Sequence, residues 1–295
     1  MNDVPPNPPP ADAAGPAPVP AAAPAPEPSA PAKPAKQESW WDTLRFLLYL
    51  FIGAVLLRTF LLAPFSIPSG SMLPNLLIGD YLFVAKWPYG YSRYSLPFHP
   101  INFSGRVPGG VPARGDVVVF RHPSGEDWVK RVIGLPGDTV EVREGVVILN
   151  GQALPRQPLA AFALPVSPNS PCDARRGDVR LETGADGERR CLYPRFRETL
   201  PGGRSYEVLD QGNSPGDTFD PITVPAGQLF VMGDNRDDSM DSRFGTDQHG
   251  VGLLPVENVL GRALIGFWST DGSAAWIKPW TWFSAARWSR IGGTY

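Results

Sequence analysis

Hydrophobic positions are spread very unevenly along this chain. Residues 1–39 are almost entirely Pro, Ala and scattered charge, with no helical or strand period. Such a stretch cannot bury enough apolar surface to offset the entropy of ordering, so a disordered tail is predicted. It also lacks a basic segment followed by a short apolar core and a small-residue cleavage site, and so does not read as a cleaved leader. From Leu44 to Phe65 the text changes to LRFLLYLFIGAVLLRTFLLAPF, apolar on every face. As a helix those 22 residues reach about 33 Å, enough to cross a hydrocarbon layer of roughly 30 Å. Trp40 and Trp41 suit the headgroup level, and Arg45 and Arg58 lie close enough to the ends for their stems to snorkel outward. A transmembrane helix is therefore predicted over residues 40–64. Lys33, Lys36 and Arg45 on its N-terminal side favour the tail inside and the remainder outside.

Beyond Pro64 the period shortens to that of strands. Asp116–Phe120 is a short apolar run of the kind found in buried strands. Val140–Arg143 alternates, and Glu144-Gly145 separates it from Val146–Leu149, which predicts a hairpin with a two-residue turn. Asn150-Gly151 predicts a further turn, and Leu229–Met232 and Val259–Ile265 further strands. No long segment after residue 66 keeps a 3.6-residue period, so the fold class expected is mainly β. It comprises an antiparallel sheet domain over 65–295 that carries an inserted β/loop subdomain at about 155–220. The insertion stands out as Pro-, Gly- and Arg-rich, with few strong strands. The C-terminal stretch from Trp276 to Trp288 is dense in tryptophan, which suits either a membrane interface or a cap on the β core.

Charge narrows the choice of partner. The formal net charge of −2 offers no concentrated basic surface, which argues against nucleic acid. The two cysteines, Cys172 and Cys191, do not have zinc-ligand spacing and no His-rich cluster accompanies them. In an oxidising compartment they would close a loop worth roughly 3 kcal/mol; in a reducing one they would remain thiols.

Three clusters could carry chemistry. Pro68-Ser-Gly-Ser-Met-Leu-Pro74 directly follows the apolar run. On its own it reads as a turn, though a serine on such a turn can present its hydroxyl beside backbone N–H groups. A nucleophilic serine needs a base, and neither His99, His122 nor His249 sits in a recognisable pattern. A buried, neutral lysine is the other solution. Lys130 is the candidate, with Trp128 on its own face of a predicted strand and Val129 and Arg131 on the other, although a lysine in a strand is ordinarily a solvated residue. The third cluster, Gly233-Asp-Asn-Arg-Asp-Asp-Ser-Met-Asp-Ser-Arg243, reads as a rigid polar loop. It lacks the register of a calcium loop, so neither a metal nor a cofactor is expected.

In this order, after a membrane span, the clusters resemble the bacterial type I signal peptidases. The likeness rests on Ile67–Pro74, Leu77–Asp80, Arg114–Phe120, Lys130–Asp138 and Gly233–Arg243, with Val259–Ala263 weaker. It implies a serine endopeptidase of the inner membrane, with its catalytic domain on the outer side, that removes signal peptides from exported preproteins after Ala-x-Ala-like sites. By that resemblance Ser71 is the nucleophile, Lys130 the general base, Ser69 an oxyanion donor and Ser239 the hydroxyl that orients the lysine. Asp241 and Arg243 form a supporting ion pair. Phe65, Ile67, Pro68, Met72, Leu76, Leu82, Trp128 and Val129 fall where the family builds shallow pockets for small side chains. The implied partners are signal peptides and the lipid bilayer, and the implied location favours a Cys172–Cys191 disulfide. Two other readings remain at this stage: a Ser/Lys peptidase of a different role, and a membrane-tethered β domain that only binds.

Overall fold

A computed structural model describes residues 40–95, 103–175, 177–275 and 277–295. The predicted tail, His99 and Trp276 lie outside the described residues. Helix α1 (Trp40–Leu56) runs on through one π-helical stretch, Leu57–Leu61, for 22 helical residues in all, and α1 itself buries none of its side chains. The apolar text continues to Phe65, but the helix does not. Pro64 has no N–H to donate and disfavours helical backbone in the residue before it. Leu62–Ser66 instead forms strand β1 at a sheet edge, where a proline is tolerated. The β domain thus begins three residues before the expected boundary at 65.

Strand β2 (Asp80–Ala85) returns antiparallel to β1, from Leu62 opposite Ala85 to Ser66 opposite Tyr81. β3 (Val117–Arg121) and β4 (Asp127–Gly134) form a hairpin with Val118 opposite Lys130. β5 (Thr139–Arg143) and β6 (Val146–Leu149) are the predicted hairpin. Glu144 and Gly145 both take positive φ at its turn, as a two-residue turn with the strands' twist requires. A short β7 (Gln152–Ala153) follows another such pair, Asn150-Gly151.

The insertion is more regular than its sequence suggests. β8 (Arg156–Pro165), β9 (Arg180–Thr183), β10 (Arg189–Thr199) and β11 (Ser205–Leu209) make a separate four-stranded antiparallel sheet. At ten and eleven residues, β8 and β10 are long strands. Most of their side chains are exposed or half-buried, so they carry no clean apolar alternation to read, and backbone pairing defines them. Cys172 and Cys191 are joined, with Cα atoms 5.4 Å apart.

β12 (Phe219–Thr223) pairs with β5 in a third sheet. β13 (Gln228–Met232), β14 (Leu254–Pro255) and the long β15 (Val259–Ser269) complete the main one, whose order is β1-β2-β15-β3-β4-β13-β14. A short helix α2 (Trp280–Ser284) lies in the C-terminal segment. Alternation along the central hairpin sorts the core into two faces. Val117, Val119 and Val129 pack with Ile67, Leu82 and Ala263 on one side. Val118, Phe120 and Val132 pack with Leu229, Val231 and Val259 on the other. All of these are nearly or completely buried, and the main sheet is therefore a rigid floor for the loops that cross it.

Candidate active site

The segment between β1 and β2 carries the Pro68–Pro74 motif. It folds back on itself, with Leu73 N–H donating to Gly70 O at 3.1 Å and Leu76 N–H to Met72 O at 2.9 Å. Asn235 clamps it from the far side of the chain: its backbone N–H donates to Ser71 O at 3.0 Å and its side-chain amide to Gly70 O at 3.1 Å. The two segments approach so closely that a Cβ on Gly233 would lie 2.5 Å from Ser71 O and 2.2 Å from Ser239 Oγ. Only glycine fits there.

Ser71 is buried, and Lys130 Nζ lies 2.7 Å from its Oγ. Burial is the main force on that amine and lowers its pKa from 10.5 to about 8. The carboxylates of Asp241 and Asp234 act in the opposite direction, and Arg243 opposes them. A lysine with such a pKa is neutral in about a tenth of molecules at pH 7, far more than an exposed lysine, and a neutral amine beside a hydroxyl can take its proton. Ser69 is exposed, and its Oγ lies 3.3 Å from Ser71 Oγ.

Geometry removes two rival bases, His122 and Lys86. The ring nitrogens of His122 are taken up by Ser124 Oγ at 2.8 Å and Gly250 O at 3.1 Å. Lys86 is also buried, with its pKa lowered to about 8, again by burial first. Its Nζ, however, donates to the backbone carbonyl of Ser95 at 2.8 Å, and a carbonyl has no proton to give.

The polar loop 233–243 surrounds the lysine with paired charges. Arg243 binds both oxygens of Asp241 at 2.9 Å, and Gly233 N–H adds a third donor at 3.0 Å. Burial works against charge on Asp241, but Arg243 and these donors hold its pKa below the usual carboxylate range. Ser239 departs from expectation. Its Oγ is buried and has no hydrogen-bond partner among the described residues, so it does not hold the lysine amine in this conformation. That amine is engaged by Ser71 instead, and the Ser239 hydroxyl remains an unused donor packed against Gly233.

Several buried polar residues at the site were not anticipated from sequence. Arg131, on the opposite face from Lys130, binds both oxygens of Asp234 at 2.7 Å. Asn75 donates to the same carboxylate at 2.7 Å and to Glu207 O at 2.8 Å. Arg236 pairs in full burial with Glu198 of β10, whose carboxylate also accepts from Tyr206. Strand alternation separated Arg131 from Lys130, and that was the available signal. Its partner lies 103 positions away, beyond the reach of any local pattern.

The expected pocket residues divide. Pro68 is exposed, while Phe65 and Trp128 are half-buried. Trp128 stacks flat on His122 with ring centroids 4.0 Å apart, and the Lys130 amine lies 5.6 Å from the indole centroid. Ile67 and Val129 keep a trace of exposure, at 3% and 7%. Met72, Leu76 and Leu82 keep none, so in this conformation they are core beneath the site and not surfaces a substrate could touch. Their side chains point into the same cluster as Val117 and Val119, where apolar burial is most favourable.

Comparison with known proteins identifies the family of the chain. The family described as signal peptidase, peptidase S26, matches residues 40–268. The chain is 34% identical over 270 residues to a signal peptidase I of Rickettsia akari (strain Hartford), covering 84% of this chain and 89% of that protein. It is 35% identical over 260 residues to the signal peptidase I of Rickettsia prowazekii (strain Madrid E), covering 81% and 87%. A crystal structure of a signal peptidase I from Enterococcus faecalis V583 is similar at 27% identity, with a TM-score of 0.26, over 51% of this chain and 95% of the other.

Proposed function

The chain belongs to the signal peptidase family, peptidase S26, and from that membership we propose a membrane-bound serine endopeptidase that removes signal peptides with a Ser71/Lys130 dyad. The observation that carries this reading is the 2.7 Å approach of a buried lysine amine, its pKa lowered to about 8, to a serine hydroxyl. In the proposed first step Ser71 Oγ attacks the scissile carbonyl while neutral Lys130 accepts the hydroxyl proton. The tetrahedral oxyanion is met by the Ser71 backbone N–H and Ser69 Oγ. Lys130 then passes its proton to the departing amine, leaving an acyl-enzyme. Lys130 next takes a proton from water as its oxygen attacks the ester, then gives that proton to Ser71 Oγ as the carboxylic acid product leaves, restoring the hydroxyl and the neutral amine. Asp241 and Arg243 keep the surrounding loop in one conformation. Ser239, whose hydroxyl has no partner among the described residues, orients the amine once substrate displaces it from Ser71.

Small side chains before the cut site are favoured because the floor under Ile67 and Val129 is already filled by Met72, Leu76 and Leu82. In this reading the helix Trp40–Leu61 is a single bilayer span and the β domain lies outside the cytoplasmic membrane of a bacterium, a location that the Cys172–Cys191 disulfide supports. Ser71 lies only ten residues past that helix, so enzyme and substrate are held at one depth and their effective concentration rises. The test is cleavage of a signal-peptide substrate by wild type, Ser71→Ala and Lys130→Ala. Turnover by either variant near the wild-type rate would refute the dyad.

A further inference from the structure

The nucleophile loop is held at its downstream end by the extreme C-terminus of the chain. Asp80, buried at the start of β2, closes the loop by accepting from Leu77 N–H at 2.8 Å. The same carboxylate receives Ser269 Oγ at 2.6 Å and the Arg290 guanidinium, whose Nη2 lies 2.6 Å from Oδ2. Arg290 Nη2 also donates to Asn75 O at 2.8 Å, and Arg287 Nη1 donates to Ile78 O at 2.8 Å. The two arginines bracket a single 3₁₀ turn, Trp288–Arg290, and side chains three apart on such a turn lie on one side. Two loop carbonyls and the loop's closing carboxylate are thus gripped by one short C-terminal element.

Asn75 links this grip to the base. Its carbonyl is held by Arg290, while its side chain binds Asp234, the carboxylate clasped by Arg131 next to Lys130. A continuous set of hydrogen bonds therefore joins the C-terminal turn both to the segment bearing Ser71 and to the strand bearing Lys130.

We propose that Arg290, supported by Arg287, is a positioning residue for the reaction: it sets the separation of Ser71 from Lys130 through Asp80 and Asn75 without touching substrate. The inference rests on the dyad reading. Displacements of about 1 Å between reacting groups can lower a rate by about a hundredfold. Removal of this grip is therefore expected to act on kcat more than on KM.

The experiment uses the full chain in detergent micelles with a signal-peptide substrate, comparing wild type, Arg290→Gln, Arg290→Lys, Arg287→Gln and Ser71→Ala. Arg189→Gln, an arginine of the neighbouring insertion, is the control. Active sites are titrated with an acylating inhibitor and thermal unfolding is followed for every variant. The expected result is a fall in kcat per titrated site of about tenfold to a hundredfold for Arg290→Gln, with KM within about twofold. Arg287→Gln should show a smaller fall, Arg290→Lys a partial recovery, and Arg189→Gln no change. Unchanged kcat per titrated site in Arg290→Gln overturns the proposal, including the case where only the number of active sites or the melting temperature falls. Turnover by Ser71→Ala would overturn the dyad reading itself, which separates that failure from the failure of the positioning role.

Discussion

Lys86 and Lys130 are two buried lysines in one sheet domain, and burial lowers both to a pKa of about 8. Lys86 lies just past the end of β2, donating to the carbonyl of Ser95, with Arg58 adding to the lowering of its pKa and Asp127 opposing it. Lys130 lies in the middle of β4, against the hydroxyl of Ser71 and within the field of Asp241 and Asp234. Burial of the amine is thus not by itself what distinguishes a base from a structural lysine, because it is the main force lowering the pKa of both. The distinction is the partner. A carbonyl can only accept, so Lys86 is fixed as a donor, whereas a hydroxyl can surrender its proton to Lys130.

The largest effect expected from this contrast is on turnover. Lys130→Ala should lower kcat by about three orders of magnitude or more, the scale of a lost general base, whereas Lys86→Ala should stay within about threefold. Steady-state cleavage measures both, and a comparable loss in Lys86→Ala would erase the contrast. Next comes the charge around the base. Asp241→Asn leaves Arg243 buried without its partner and should cost about 3–5 kcal/mol in denaturant unfolding. It also removes a carboxylate that raises the lysine pKa, so the residual activity should show its rise at a more acidic pH than wild type.

The wild-type profile itself follows from the sign of the shift. The reactive form is the neutral amine, so kcat/KM should rise with pH and level off above about 8. That limb should survive in Lys86→Met. For stability, the folded pKa lies below the unfolded value of 10.5, so a penalty is present in full below about 8 and disappears as pH rises from there toward 10.5. Lys130→Met should therefore be more stable than wild type by about 3 kcal/mol at pH 7, a gain that vanishes by pH 10.5. Unfolding curves at the two pH values measure it; an equal gain at both would mean that packing and not desolvation is responsible. The smallest effect concerns Ser239. Because its buried hydroxyl has no partner among the described residues, Ser239→Ala should change stability by less than about 1 kcal/mol. Its kcat should still fall by about tenfold if the hydroxyl engages Lys130 only during turnover. Unchanged kcat would confine Ser239 to a packing role.

Much of the architecture was legible in the linear text, because the signals concerned are local. The Glu144-Gly145 hairpin, the β3 and β13 runs and the long apolar helix each follow from a period or a turn pair, and each is present in the fold. The insertion's strands were not legible. Their side chains face solvent on much of both sides, so no alternation marks β8 or β10, and only pairing with one another defines them. The end of the helix was misread for a related reason: Leu62, Ala63 and Phe65 are apolar enough for either a span or a strand, and the ladder with β2 decides.

At the site, sequence alone determined which side chains could do chemistry: a serine in a Gly-containing turn, a lysine in an apolar strand and a loop rich in short polar residues. Which lysine is poised beside a hydroxyl, which pocket residues still have exposed surface, and that Asp234 belongs to Arg131 and Asp80 to Arg290 were decided only by the tertiary structure. The physical reason is range. Propensity and periodicity act over a few residues, whereas desolvation and ion pairing depend on what packs against a group from anywhere in the chain, and no segment carries that information by itself.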